Sequence, residues 1–458
     1  MPVSRRLLAA LVTLLLSTVG VGRAQVPAPS ASPAPPPSGA STAPPARQDI
    51  VVVLQGNQRP LLKLAFPAAT AAGLAGPFAD AAHEIEQALR DDLLASRIFE
   101  IQGPAELAVL QLTGDPAHDN EQYRSLGNEV LLLADVKQEE GKVVLEGRIL
   151  DLKSGQSIVG KRYRGELAVA RRIAHSFADE VVLYFTGKRG IALTSIAFSS
   201  DRDGSKEIYL MDADGRNQRR ITGHKSISMS PAWSPQGDTL AYVSFFDGGP
   251  SIYAVDLQSG QKRPLIADGR LNISPAYSPD GRQIAFARSL AGNTEIFVCD
   301  ADGKNLRQLT HSPGIDTDPA WSPSGREIAF TSNRSGNPNI YVMDAEGTNV
   351  RRVTFSGDYN DGAAWRPDGT QIAYATRQGD GFQIAVVDVV TSQSKLLTSG
   401  AGSKEKPTYS PDGRSIVYES TQSGSHQIWS MAADGGPGRQ LTSVGNNFGP
   451  DWSGYPPQ

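Results

Sequence analysis

Aromatic residues Trp233, Tyr277, Trp321, Trp365 and Tyr409 stand 44 residues apart, and Trp452 follows after 43. The small-residue column Ala197, Ala241, Ala285, Ala329, Ala373 and Val417 keeps the same 44-residue interval. So do Ile208, Ile252, Ile296, Ile340, Ile384 and Ile428, and a fourth column through Ile221, Leu265, Leu309, Val353, Leu397 and Leu441. A unit of this size buries its apolar face only against its neighbours, so the period itself selects a repeat architecture.

Each unit reads as four short strands. In one copy they are Asp318 to Ser322 (a), Ile328 to Ser332 (b), Ile340 to Asp344 (c) and Arg351 to Thr354 (d). Ser278-Pro279-Asp280-Gly281 and Ser410-Pro411-Asp412-Gly413 join a to b as tight turns. Proline presets the second turn position and glycine takes the positive φ that ends it. Four strands every ~40–45 residues are the signature of a β-propeller blade. A linear stack is disfavoured because the repeats begin on a strand b, Thr194 to Phe198, and finish on a strand a, Gly449 to Ser453. Both ends of the domain then complete one blade, which removes the open edges. Six blades are expected.

Upstream, Arg5 and Arg6 precede an apolar run from Leu7 to Val19, with Ala24 before a plausible cut. That pattern predicts a secretory leader over 1–24, too short in its apolar part for a membrane span. Residues 25–47 hold eight prolines in 23 positions and read as an extended linker. From 48 to 187 strand and helix patterns mix: strands at Ile50 to Leu54 and Leu61 to Phe66, a helix opened by Gly76-Pro77, a β-meander from Glu129 to Tyr163, and a second helix from Leu167 to Phe185. The expected architecture is multidomain, an α/β domain over 48–187 followed by an all-β six-bladed propeller over 190–458.

Composition narrows function. Forty-four basic against 48 acidic residues give −4 and supply no global positive charge for a nucleic-acid backbone. A single cysteine, Cys299, excludes a disulfide framework and a cysteine metal cluster; in its strand pattern it reads as a buried small hydrophobe. His83-Glu84 lacks the second histidine of a zinc-protease helix, and His175 has no ligand at metal spacing. Both read as surface or packing residues. No nucleophile elbow and no phosphate loop occurs. No catalytic residue and no cofactor is assigned; a cation around Asp316, Asp318 and Asp361 is left open.

The leader, the α/β domain and the repeated Ser/Asp-Pro-Ala-Trp/Tyr-Ser-Pro motif, in that order, resemble the TolB family of the Tol-Pal system. The resemblance runs from about Asp49 to Ser453. It implies a periplasmic, non-enzymatic adaptor whose propeller binds the lipoprotein Pal and whose amino-terminal segment engages TolA, in support of outer-membrane integrity and constriction at cell division. The segment similar to the TolA-binding one is Asp49, Ile50, Val51, Val52, Val53, Leu54 and Gln55; the proline-rich linker ahead of it departs from the family pattern. The chain is expected to be a monomer that meets membranes only through its partners.

Topology places the d-to-a and b-to-c loops at one end of the ring and the stereotyped a-to-b turns at the other. The first end is the expected partner face. Residues Leu271, Asn272, Ile273, Ser274, Asp316, Thr317 and Asp318 match the family's Pal contacts, and Tyr359, Asp361 and Lys406 join them. Ile315 is a further apolar anchor. The alternative is a propeller enzyme: a peptidase accessory domain, or a sialidase-like glycosidase gripping a carboxylate with Arg202, Arg270, Arg288, Arg334 and Arg377. Glycan binding by the ring aromatics is a third reading, against which their strict period argues for core packing.

Overall fold

Short strands b and c buried along almost their whole length, as in Glu327–Ser332 and Asn339–Asp344, and a proline–glycine turn between a and b produce the same antiparallel four-stranded sheet again and again in this chain. The computed structural model describes residues 61–290 and 292–456. The predicted leader, the linker, the strand at Ile50 to Leu54 and the segment Asp49 to Gln55 lie outside the described residues.

Six four-stranded sheets form the propeller. Blade 4, for example, runs Asp316–Trp321 (a), Glu327–Ser332 (b), Asn339–Asp344 (c) and Arg351–Arg352 (d). Blade 1 pairs Asn447–Trp452 with Ser195–Ser200, so the ring closes with strand a from one end of the domain and b, c and d from the other. Asn447 lies opposite Ser200 and Trp452 opposite Ile196. Trp452 Nε1 donates to Thr194 Oγ1 at 2.8 Å, and the Ser453 amide donates to the Ser195 carbonyl at 2.9 Å. The six strands a touch one another in sequence and define the central channel.

The repeat columns are the packing between blades. Ala329 of blade 4 shares a buried cluster with Trp365 and Tyr374 of blade 5; Ala373 does the same with Tyr409 and Tyr418 of blade 6. Three of the periodic tryptophans, Trp233, Trp365 and Trp452, also hydrogen-bond through Nε1; Trp365 donates to the Ala320 carbonyl of the preceding blade at 3.1 Å. Their period is therefore structural. A polar clasp repeats as well. Thr222, Thr310, Thr354, Thr398 and Thr442 each accept the strand-c amide of Ile208, Ile296, Ile340, Ile384 or Ile428 at 2.8–3.0 Å. Each also donates to the side chain just before that isoleucine, as Thr442 does to Gln427 Oε1 at 2.8 Å.

The α/β region is a five-stranded sheet in the order β2-β1-β3-β4-β5, with β1 Leu62–Ala65, β2 Phe99–Gln102, β3 Val130–Glu139, β4 Lys142–Asp151 and β5 Ser157–Gly165. β1 pairs in parallel with β2 and β3; the meander β3-β4-β5 is antiparallel. Helices α1 (Pro77–Ala95) and α4 (Ala170–Thr186) cover one face. Gly147 makes that approach possible, since a Cβ there would sit 2.3 Å from the Phe177 ring. Two further helices, α2 (Pro104–Leu107) and α3 (Pro116–Ser125), are not anticipated by the sequence reading. Leu107 and Tyr123 from them close a second cluster over Ala65, Leu131 and Leu152.

A buried ionic junction ties this region to blade 1. His175 Nδ1 lies 2.6 Å from Asp92 Oδ2, and its Nε2 lies 3.6 Å from Asp212 Oδ2. Arg171 Nη2 reaches Asp214 Oδ2 at 2.5 Å. Burial opposes the imidazolium charge, but Asp92 and Asp212 overcome it and raise His175 to about 10. His175 is thus a packing residue and a charged one, while His83 is exposed.

Candidate functional site

The loop end of the channel is built on a backbone irregularity repeated six times. In each strand a, two residues oppose one on strand b, as Asp318 and Pro319 do between the Thr317–Thr331 and Ala320–Ala329 pairs. The first bulge residue has positive φ: Ser230, Ser274, Asp318, Gly362, Lys406 and Gly449, at 49° to 69°. In five blades the second is proline, which has no amide to withdraw from the ladder there.

The bulge aims side chains into the channel. Lys406 of blade 6 reaches past blade 5 to Asp318 of blade 4, with Nζ 3.2 Å from Asp318 Oδ1 and 3.9 Å from Asp361 Oδ2. Ser274 Oγ of blade 3 donates to Asp318 Oδ1 at 2.8 Å, and Thr331 Oγ1 donates to Asp361 Oδ1 at 2.8 Å. Burial pushes the Asp318 pKa up, yet Lys406 and Ser274 hold it below the usual carboxylate value. Asp361 goes the other way: burial raises it and outweighs Lys406. Lys406 is raised, its two carboxylates overcoming burial. Here a lysine ammonium supplies the positive charge. Among the described residues no group of three metal-ligating side chains is arranged to hold a metal ion.

Round the same mouth the residue before each bulge is Met229, Ile273, Thr317, Asp361, Glu405 or Phe448. The ring thus divides into two sectors. Blades 4 to 6 carry Asp318, Asp361, Glu405 and Lys406, joined by Glu419, which lies 3.6 Å from His426. Burial and Glu419 raise the Glu405 pKa; Glu419 raises that of His426 against its burial. Blades 1 to 3 present Met229, Ile273 and Phe448, with Lys206 Nζ held 3.6 Å over the Phe448 ring.

The sequence-predicted residues separate into two groups. Ile273, Ser274, Thr317, Asp318, Asp361 and Lys406 meet at the mouth, all partly exposed. Leu271 and Tyr359 lie on its d-to-a loops; Tyr359 packs edge-on against Phe382 at 5.3 Å, under Arg377. Asn272 and Asp316 are fully buried beneath these loops. Asn272 Nδ2 donates to Asp268 and to the Arg270 carbonyl, and Asp316 accepts from Arg334 Nη2 at 2.7 Å. Their side chains hold the loops in shape and offer no surface. Two exposed aromatics escape the sequence reading: Phe246 (55% exposed), beside His224 at 4.8 Å, and Phe355 (63% exposed). Their signal in the sequence is a large apolar residue in a loop column otherwise mostly polar or small.

Four of the five arginines that motivate the glycosidase alternative are held by neighbouring groups, and Arg270 stays about half exposed. Arg202 binds Ser200, Gln218 and Asn447; Arg288 and Arg270 turn to Asp268; Arg334 binds Asp316; Arg377 lies over Tyr359 and Phe382.

Comparison with known proteins agrees with this architecture. A family model described as the TolB beta propeller domain matches residues 183–456. The Tol-Pal system protein TolB of Geobacter metallireducens is 37% identical over 156 residues, 34% of this chain and 36% of that protein. The Tol-Pal system protein TolB of Desulfosudis oleivorans is 41% identical over 124 residues, 27% of this chain and 28% of its own. The chain thus aligns with only about a third of the length of the curated relatives it matches. The crystal structure of TolB from Acinetobacter baumannii superposes with a TM-score of 0.75 at 24% identity, covering 86% of this chain and 97% of that one, a likeness of fold.

Proposed function

The chain belongs to the TolB beta-propeller family, and on that premise we propose that it is a periplasmic, non-enzymatic adaptor of the Tol-Pal system. In this reading the channel mouth captures the peptidoglycan-associated lipoprotein Pal, Asp49 to Gln55 engage TolA, and the two contacts together support outer-membrane integrity and envelope constriction in division. The observation that carries the reading is the divided mouth. An apolar sector of Met229, Ile273 and Phe448 faces an ionic sector of Asp318, Asp361 and Lys406. A protein surface with one apolar anchor and one basic or acidic group would match both at once, and central anchors of that kind dominate protein interfaces. The protein-facing choice is supported further by the engagement of Arg202, Arg288, Arg334 and Arg377 with neighbouring groups.

Thr317 stands partly exposed between the two sectors. Thr317→Arg adds bulk and positive charge at the mouth while leaving the Thr317–Thr331 backbone pairing intact. Calorimetric titration with purified Pal is expected to show at least about tenfold weaker binding, roughly 1.4 kcal/mol. Unchanged affinity in a folded variant defeats the assignment of the Pal face. Removal of Asp49 to Gln55 is expected to abolish TolA binding and leave Pal affinity unaltered.

A further inference from the structure

In the buried column beneath the loops of the mouth, blade 6 departs from its sisters at the first residue of strand a. The equivalent positions are Ser228, Asn272, Asp316, Asn360 and Asn447; blade 6 has Lys404. Asn360 and Asn447 donate to carbonyls of their own d-to-a loops, Ser356 and Val444. Lys404 copies that duty, its Nζ donating to the Ala401 carbonyl at 3.0 Å and the Gly402 carbonyl at 3.3 Å. An asparagine does this without charge. Lys404 does it with an ammonium on a residue only 3% exposed.

The one acid in this column, Asp316, has Arg334 as its counter-ion. Lys404 has no carboxylate within ion-pair reach among the described residues. Burial alone acts on its pKa and lowers it. A cation buried without an anion is costly, and two carbonyl dipoles satisfy two of its three donors.

Lys404 also lines a cleft of about 330 Å³ between blades 5 and 6. The lining is mostly polar, with Ser399, Gln422 and Tyr418 among its polar groups; Leu397 and Pro437 supply its apolar part. Burial pushes the Tyr418 hydroxyl up to about 12. Gly438 leaves room for that hydroxyl, since a Cβ there would stand 2.2 Å from it. No aspartate or glutamate lines the cleft.

The geometry points to a binding site for a small monocarboxylate with a short apolar body, its carboxylate accepting from Lys404 and its body lying between Leu397 and Pro437. One ammonium among neutral donors matches a single negative charge. A dianionic phosphate would leave one charge buried and unmatched, and an amide would leave the ammonium as it is.

The test uses the full chain with three probes in calorimetric titrations: N-acetylvaline, N-acetylvalinamide and inorganic phosphate. N-acetylvaline is expected to bind, with the amide and phosphate each at least about tenfold weaker. Lys404→Asn, which installs the residue found in three sister blades, is expected to fold with an unchanged or higher urea midpoint and to lose at least about tenfold in N-acetylvaline affinity. Should that variant fail to fold, Lys404→Met is read in its place with the same expectation. No heat or shift with N-acetylvaline, equal binding of the amide or of phosphate, or undiminished binding by the folded variant overturns the site.

Discussion

The α/β region and the ring are stabilised on opposite plans. In the ring the packing contacts have sisters: five threonine clasps, six strand-a bulges, and aromatic-on-alanine packing carried from blade to blade. In the α/β region each contact exists once. Phe177 fills the hollow over Gly147, and Asp92 with His175 forms the junction to blade 1. Redundancy spreads a defect over equivalent neighbours, whereas a contact without copies has nothing to share its loss. The same difference governs where specificity resides: the ring's backbone repeats, and its recognition chemistry lies in the side chains that break the repeat.

Phe177→Ala should show the contrast at its largest. It empties a fully buried site held open by β4 and α4, a loss of about 3–5 kcal/mol. Scanning calorimetry is expected to resolve an early α/β transition from an almost unshifted ring. One transition moving as a whole would break the comparison. Asp92→Ala follows at about 3 kcal/mol, because it strands His175 beside Asp212. Replacing both partners, Asp92→Leu with His175→Leu, is expected to recover most of that loss in urea unfolding.

Proton linkage sharpens the junction's side of the contrast. The folded pKa of His175, about 10, lies above its ordinary 6.5. Its contribution is therefore complete below about 6.5 and disappears as pH rises through about 10. Thermal melts from pH 6 to 10 are expected to show a falling α/β transition that His175→Gln flattens. Thr442→Val is the smallest change, about 1–2 kcal/mol for one clasp with the Ile428 amide left unsatisfied. Thr354→Val should cost the same within about 0.5 kcal/mol if the blades are equivalent; a large disparity in urea midpoints would show that they are not.

The sequence exposes the two plans unequally. Six copies at a fixed spacing make the ring, its closure and its loop end readable, since Trp321, Ala329 and Ile340 are each checked against their sisters. The α/β region offers one copy of everything. Helix α3 holds a single buried residue, Tyr123, in an otherwise polar run, so no apolar stripe marks it. Its only signal is Asp115 before Pro116, a cap that accepts the His118 amide. The partnership of His175 with Asp92 spans 83 residues and leaves no local trace. At the mouth, loop topology and the family resemblance single out Asp316, Thr317 and Asp318 together and cannot tell that Asp316 is buried. Strand alternation assigns faces, and the bulge that resets the alternation is written in backbone torsions at Ser230, Asp318 and Lys406.

Closure of the ring by Asn447–Trp452 has a consequence in time. During synthesis blades 2 to 6 can be completed in order as they emerge, but blade 1 waits, with Ser195–Ser200 presenting a bare edge until the final strand of the domain arrives. The ring therefore stays an unlocked arc until that strand has been made. Any handling that requires a threadable polypeptide is favoured before that strand docks, and opposed afterwards.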